Sequence, residues 1–227
     1  MPLDFGHRPA LGREDFLVAA SNQDAVAFLD LWPDWPARGL VVYGPEACGK
    51  THLAQVWRAR SGAVEIAPDT LSREAPSLLG DARHAVVEGL APGIHERGLL
   101  HLYNYLTGQG GTLLLTAATP PVRWAVELPD LRSRLLALPA VAVGAPDEAL
   151  IEAVMIKQFA DRQVRVAPDV VTFLVPRLER SLATVRRVVT ALDAAALAER
   201  RAITVPLARE VLHRLGISES GAVLPEA

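Results

Sequence analysis

A glycine-rich octapeptide carries the clearest chemical signal in this 227-residue chain. Residues 44–51 read GPEACGKT and match the pattern G-x-x-x-x-G-K-[ST] at every fixed position. In such a loop, backbone N–H groups at a helix N-terminus surround phosphates, a lysine reaches the terminal phosphates and a hydroxyl binds Mg²⁺. The segment predicts a nucleotide site formed by Gly44, Pro45, Glu46, Ala47, Cys48, Gly49, Lys50, Thr51 and His52, with Thr51 also on the metal.

Cys48 is the single cysteine of the chain. One cysteine excludes an internal disulfide and a multi-cysteine zinc site. Its position at the start of a helix could make the thiol redox-sensitive. The alternative interpretation is a small residue that the loop tolerates.

Besides the strand before the loop, a P-loop nucleotide site needs a second strand that ends in an acid, which holds Mg²⁺. Residues 84–90 read HAVVEGL, in which the apolar run 85–87 is followed directly by an acid. Glu88 is therefore predicted to hold the metal. If the strand ended one residue earlier, Val87 would take the metal position and Glu88 could serve as a general base.

Two arginines, Arg132 and Arg134, lie in the segment PDLRSRL shortly before the last predicted strand. An arginine offered to a neighbouring molecule's γ-phosphate raises the rate of hydrolysis by about 10³–10⁵. We interpret Arg134 as such a finger and Arg132 as a partner-binding residue. The alternative is that both are surface partners of Asp130 or Glu127.

Two further residues follow in the order expected of phosphate sensors. Thr116 ends the apolar run LLLT and could sense the γ-phosphate, or could be an ordinary strand-end threonine. Arg186 lies beside Arg187 on the polar face of a predicted long helix. It could contact phosphate or could be solvated.

Alternating strands and helices must position these groups. Short apolar runs predict buried parallel strands at 39–43, 63–66, 84–87, 112–116 and 141–143. Helical spacing predicts helices at 22–31, 50–60, 98–107, 147–162, 169–178, 181–198 and 206–215. The fold class is α/β: a parallel-sheet αβα domain followed by a small all-helical lid. We predict an extended segment at 1–14, the α/β domain at 15–145, the lid at 146–216 and a frayed tail at 217–227.

The bulk composition is that of an ordinary globular protein, with half of the residues apolar. The formal charge of −3 offers no excess of positive charge that would draw the whole molecule to nucleic acid. No secretory signal is visible and no apolar run is long enough to span a membrane. We expect a cytoplasmic protein.

The motifs together resemble the DnaA family of AAA+ replication initiators, and within it the short regulatory members of the Hda type. The resemblance runs from about 16 to 215 and includes FLVAASN, GPEACGKTHL, LT at 115–116, LPDLRSRL and TVR at 184–186. It implies an adenine nucleotide, ADP or ATP, with Mg²⁺. It also implies that Phe16 lines the adenine pocket, Arg134 is the finger in trans and Arg186 is the lid sensor.

Gly89 departs from the AAA+ pattern that the resemblance brings in. In that family an acid follows the metal-holding acid and polarises the attacking water, and Gly89 occupies its place. Losing a general base costs on the order of 10²–10⁴ in rate. We therefore expect slow or absent intrinsic ATP hydrolysis, and leave open whether the chain is an enzyme at all.

The resemblance also implies two protein partners, a DnaA-type initiator and the DNA polymerase sliding clamp. Hda-type proteins dock on the clamp through an N-terminal peptide, and here Leu3 and Phe5 match its hydrophobic half while its glutamine is missing. Either the true start lies upstream or clamp binding is weaker. DNA contact is expected mainly through the clamp, and a homo-oligomer stays open. The printed sequence stops soon after the lid, which predicts a regulator without the initiators' helix-turn-helix domain.

The leading hypothesis is a regulator of chromosomal replication initiation. It would bind adenine nucleotide and the clamp and stimulate ATP hydrolysis by the initiator through Arg134. A self-sufficient AAA+ ATPase, such as a helicase loader or DNA remodeller, is the main alternative. A nucleotide-dependent adaptor without activating function is the third.

Overall fold

The computed structural model describes residues 17–72 and 74–217. It divides into two compact units, the first ending at Gly144 and the second beginning at Ala145. The candidate residues Leu3, Phe5 and Phe16 lie outside the described part of the chain, as does the predicted N-terminal segment.

The first unit is built on five parallel strands in the order β2-β3-β4-β1-β5. The strands are β1 (Gly39–Tyr43), β2 (Val64–Glu65), β3 (His84–Leu90), β4 (Thr112–Ala117) and β5 (Ala140–Ala142). Over residues 17–72 and 74–144, four α-helices accompany them, namely α1 (Gln23–Asp30), α2 (Lys50–Ser61), α3 (Glu96–Gly108) and α4 (Pro129–Ala137). The predicted α/β class is confirmed, and each predicted strand is present.

Both faces of the sheet are covered, which is why the central strands read as continuous apolar runs. Side chains alternate between the faces along β1: Val41 packs with α3 and α4, whereas Leu40 and Val42 pack with α1 and α2. Because all five strands are parallel, their carboxyl ends lie along the same edge of the sheet. Ligands of open parallel sheets bind at that edge.

The opposite edge of the sheet holds an aromatic cluster that the sequence analysis did not predict. Trp32 Nε1 donates to Thr112 Oγ1 over 3.1 Å, and the same hydroxyl lies 2.8 Å from His84 Nδ1. Trp57 is fully buried and stacks on Trp35 with ring centroids 5.3 Å apart. Burial, with a smaller effect of Arg83, lowers the pKa of His84. The cluster joins α1 and α2 to the starts of β3 and β4.

The described part of the second unit contains four α-helices, α5 (Glu148–Asp161), α6 (Pro168–Leu174), α7 (Leu182–Glu199) and α8 (Val205–Arg214). Its core includes Met155, Phe159, Val188 and Leu192. Ile217, the first residue of the predicted frayed tail, is buried in this core, and its N–H donates to the Leu212 carbonyl over 2.9 Å. Among the described residues, no helix is both long and apolar enough to cross a membrane.

Candidate nucleotide site

The glycine-rich loop connects the end of β1 to the start of α2. Gly44 has a φ of +157° there, and an added Cβ would lie 2.1 Å from the Val143 carbonyl oxygen. Only glycine fits this position. The loop therefore delivers the first N–H groups of α2, which have no intrahelical partners, to the carboxyl edge of the sheet.

Lys50 closes the loop from the first turn of α2. Its Nζ donates to the Gly44 carbonyl over 2.9 Å and to the Pro45 carbonyl over 2.6 Å. Cys48 is buried against α1 and α2, with its Sγ 3.8 Å from Lys50 Nζ. The burial of this thiol favours the interpretation of a tolerated small residue over that of a redox sensor. Glu46 and His52 are exposed beside the loop.

Thr51 and Glu88 come together at the ends of two different elements. The Thr51 hydroxyl hydrogen-bonds the Glu88 carboxylate, and Gln55 Nε2 donates to Glu88 Oε1 over 3.4 Å. Burial raises the pKa of Glu88 and the nearby Glu65 adds to the shift, while the Thr51 hydrogen bond opposes it. Hydroxyl and carboxylate oxygens are ligands that Mg²⁺ accepts together with phosphate and water. The pair fits a magnesium ion, and Val87, fully buried, offers no group that could replace Glu88.

Gln55 is the member of this group that the sequence analysis missed. It lies on α2 one turn after Thr51, so its side chain faces the same strand end. Its amide also lies 3.3 Å from Glu65. The i, i+4 spacing from Thr51 was the signal that could have found it.

A bulge in β3 determines what lies next to Glu88. Val87 pairs with Leu115 and Leu90 with Ala117, so two residues of β3 stand opposite one residue of β4, Thr116. Gly89 has a φ of +70°, and its N–H donates to Thr116 Oγ1 over 2.9 Å. Thr116 therefore keeps its hydroxyl hydrogen for another acceptor. In the place of the second acid, position 89 thus offers Thr116 only a backbone N–H.

The bulge yields a stability prediction. A Cβ added at Gly89 would lie more than 4 Å from any atom beyond the adjacent residues, but the residue has a left-handed backbone conformation that alanine disfavours. Gly89→Ala should therefore lower the free energy of unfolding by about 1 kcal/mol. Gly108 also has open space and a φ outside that region. The control G108A should leave stability unchanged or slightly raise it. Urea denaturation measures both, and equal effects would argue against backbone strain at 89.

A second prediction concerns Glu88 and pH. Folding raises its pKa above 4.5, so the ionised carboxylate is disfavoured in the folded, metal-free protein. The resulting destabilisation develops as the pH rises from 4.5 through the raised pKa of the folded protein. It is absent at a pH below both the unfolded and the folded pKa. Glu88→Gln should therefore raise the melting temperature at pH 7 and leave it unchanged at pH 4. Glu127→Gln, at an exposed carboxylate, controls for the lost charge. A lower melting temperature of E88Q at pH 7 would contradict the assignment.

Arg134 lies on α4, on the other face of the sheet from the P-loop helix. Its Nε donates to Asp130 Oδ1 over 3.1 Å, and its guanidinium carbon lies 5.8 Å from the Tyr103 ring centroid. The side chain is 38% exposed. The surface pair with Asp130 that we weighed as an alternative is thus present, yet the guanidinium still reaches solvent. Arg132 is exposed on the same helix.

The start of α4 is held by α3 through Glu96. Its two carboxylate oxygens accept from the backbone N–H groups of Glu127 and Leu128, over 2.9 and 2.7 Å. This carboxylate caps two amides that the helix cannot satisfy itself. Neither Glu96 nor the helix α4 was predicted, although Pro129 at its first turn is a start signal.

Known proteins resemble both units of the chain. The family model of the Hda lid domain matches residues 147–212. Domain III of the Thermotoga maritima replication initiation protein DnaA is similar with a TM-score of 0.78 at 18% identity, covering 91% of this chain and 97% of that one. The chain is DnaA-like in fold and carries an Hda-like lid.

Other AAA+ structures share the fold of this DnaA- and Hda-like protein. AMPPCP-bound DnaA from Aquifex aeolicus has a TM-score of 0.64 at 15% identity, covering 86% of this chain and 70% of that one. A Thermotoga maritima RuvB variant has a TM-score of 0.74 at 12% identity, covering 95% and 75%. The sheet with its glycine loop thus has the fold of these proteins, and the helical unit matches the Hda lid domain.

The Hda-like lid carries Arg186 on α7. The helix begins at Ser181, whose hydroxyl accepts from the Thr184 N–H, and Val185 is buried beneath it. Arg186 and Arg187 are both exposed on the opposite face of the helix. A phosphate sensor and a solvated arginine would both be exposed as Arg186 is, so its sensor role stays a prediction.

Proposed function

We propose that this protein regulates the initiation of chromosomal replication by stimulating ATP hydrolysis in a DnaA-type initiator. It binds adenine nucleotide with Mg²⁺ at its own P-loop, and it inserts Arg134 into the initiator's nucleotide site. The bulge at Gly89 is the observation that carries the proposal. It supports a site that holds nucleotide without a base for hydrolysis, so the chemistry is completed elsewhere.

Nucleotide binding by the P-loop has three supports. Gly44 admits no side chain, Lys50 stands at the loop carbonyls, and Thr51 meets Glu88. Solved DnaA structures with the same fold contain AMPPCP, an adenine nucleotide analogue. We infer that this chain takes ADP or ATP in the same loop. When the nucleotide is ATP, we assign the sensing of its γ-phosphate to Thr116 and Arg186.

The action in trans rests on the charge and exposure of α4. Arg134 keeps its guanidinium at the surface, and Arg132 adds a second exposed cation two residues away. A triphosphate held by another protein is a strongly anionic target for such a pair. We assign the rate effect to Arg134 and partner binding to Arg132. Leu3 and Phe5 remain our proposal for clamp docking.

The test is hydrolysis of ATP by a purified DnaA-type initiator, measured with and without this protein and with and without clamp-loaded DNA. We expect little turnover by the protein alone and a large stimulation of the initiator when the clamp is loaded. Robust turnover by the protein alone would favour the self-sufficient ATPase. Clamp binding without stimulation would favour the adaptor.

A further inference from the structure

Asp130 and Arg134 form a two-point contact along one edge of the guanidinium. Besides the 3.1 Å bond from Nε to Oδ1, Arg134 Nη2 donates to Asp130 Oδ2 over 3.4 Å. The two residues are one helical turn apart, so the contact needs no rearrangement of α4. The carboxylate therefore grips the Nε–Nη2 edge and fixes the plane of the guanidinium.

The neighbouring Nη1–Nη2 edge of the guanidinium stays available for a ligand. A guanidinium has five N–H donors, and this contact uses one on Nε and one on Nη2. One donor on Nη1 and the second donor on Nη2 form another fork, whose shape matches two phosphate oxygens. Asp130 can thus orient the arginine without consuming the donors that a phosphate needs.

A second support acts on the flat face of the same group. The Tyr103 ring of α3 lies below the guanidinium carbon, and Glu96 of α3 caps the start of α4. The ring limits the rotation of a side chain that otherwise has many rotamers. Asp130 sets the direction within that plane. Both supports come from elements that the core holds in place through Leu99 and Leu131.

We propose that Asp130 is the positioning residue of the arginine finger. It holds the Nε–Nη2 edge of Arg134 so that the Nη1–Nη2 edge meets the γ-phosphate of the initiator's nucleotide. The inference rests on the proposed function. The pair is exposed and contributes little to stability, so its effect is on the geometry of the inserted arginine and therefore on rate.

The experiment titrates D130A, D130N and D130E into the initiator hydrolysis assay, and separates the maximal stimulated rate from the half-saturating concentration. We expect D130A to lower the maximal rate about 10-fold at an unchanged half-saturating concentration, because a misdirected fork still docks. D130N should be intermediate. D130E should restore most of the rate, since glutamate also reaches an arginine one turn away. D161A breaks another surface i, i+4 pair, with Lys157, and should change neither value.

Three outcomes overturn the inference. A wild-type maximal rate in D130A would show that Arg134 needs no orientation. A changed half-saturating concentration at constant maximal rate would place Asp130 in partner binding. A loss in D130A that D130E does not restore would exclude the two-point contact. R134A is run in parallel: if stimulation survives in R134A, the proposed function itself fails, whereas its collapse beside an active D130A refutes only the positioning role.

Discussion

Replacing Arg134 by alanine is expected to lower the stimulated hydrolysis of the initiator's ATP by about 10³–10⁵-fold. The guanidinium is the group that stabilises the charge spread over the phosphoryl oxygens in the transition state. Binding to loaded clamp should survive, since the proposed docking residues Leu3 and Phe5 are far along the chain from α4. Single-turnover hydrolysis and clamp pull-down measure the two properties separately.

The matched control for this change is Arg123→Ala. Arg123 is another exposed arginine of the same unit, in the short turn Pro121–Arg123 that precedes α4. It should leave stimulation within about 2-fold of wild type, because exposed charges outside a contact contribute little. Arg134→Lys should stay strongly impaired, because an ammonium cannot form the fork. Stimulation that persists in R134A would remove the finger from the mechanism.

The second large effect is expected at Lys50. Lys50→Met should weaken adenine nucleotide binding by about 10- to 100-fold, the loss of a charge-assisted contact with phosphate. Lys50 Nζ also donates to the Gly44 and Pro45 carbonyls, so the substitution removes two hydrogen bonds within the loop as well. Isothermal calorimetry with MgADP measures affinity, and the melting temperature without nucleotide reports the fold.

Lys157→Met provides the comparison, since Lys50 and Lys157 are the chain's two lysines. Lys157 lies on α5 of the lid and pairs with Asp161 over 2.9 Å. Its replacement should leave MgADP affinity unchanged. If K50M binds MgADP as tightly as wild type while K157M does not, phosphate binding belongs to the lid and the P-loop assignment fails.

Local sequence was sufficient for the framework of the fold. The strand at 39–43, the loop at 44–49 and the helix from Lys50 could all be predicted because a buried strand, a glycine turn and a helix start each leave a pattern within a few residues. The same holds for the lid helices, whose apolar residues recur at helical spacing. The helix α4 was missed because its apolar face is narrow, with only Leu131 and Leu135 buried among polar and charged residues.

The sequence by itself determined which groups are present: a phosphate loop, an acid at 88, a glycine where a second acid was expected, and two arginines two residues apart. Only the tertiary structure decided how they meet. The Gly89 amide reaches Thr116 because β3 bulges beside β4, and Gln55 reaches Glu88 because α2 packs against β3. Such contacts join residues 27 to 33 positions apart. They depend on packing between elements, which local periodicity does not encode.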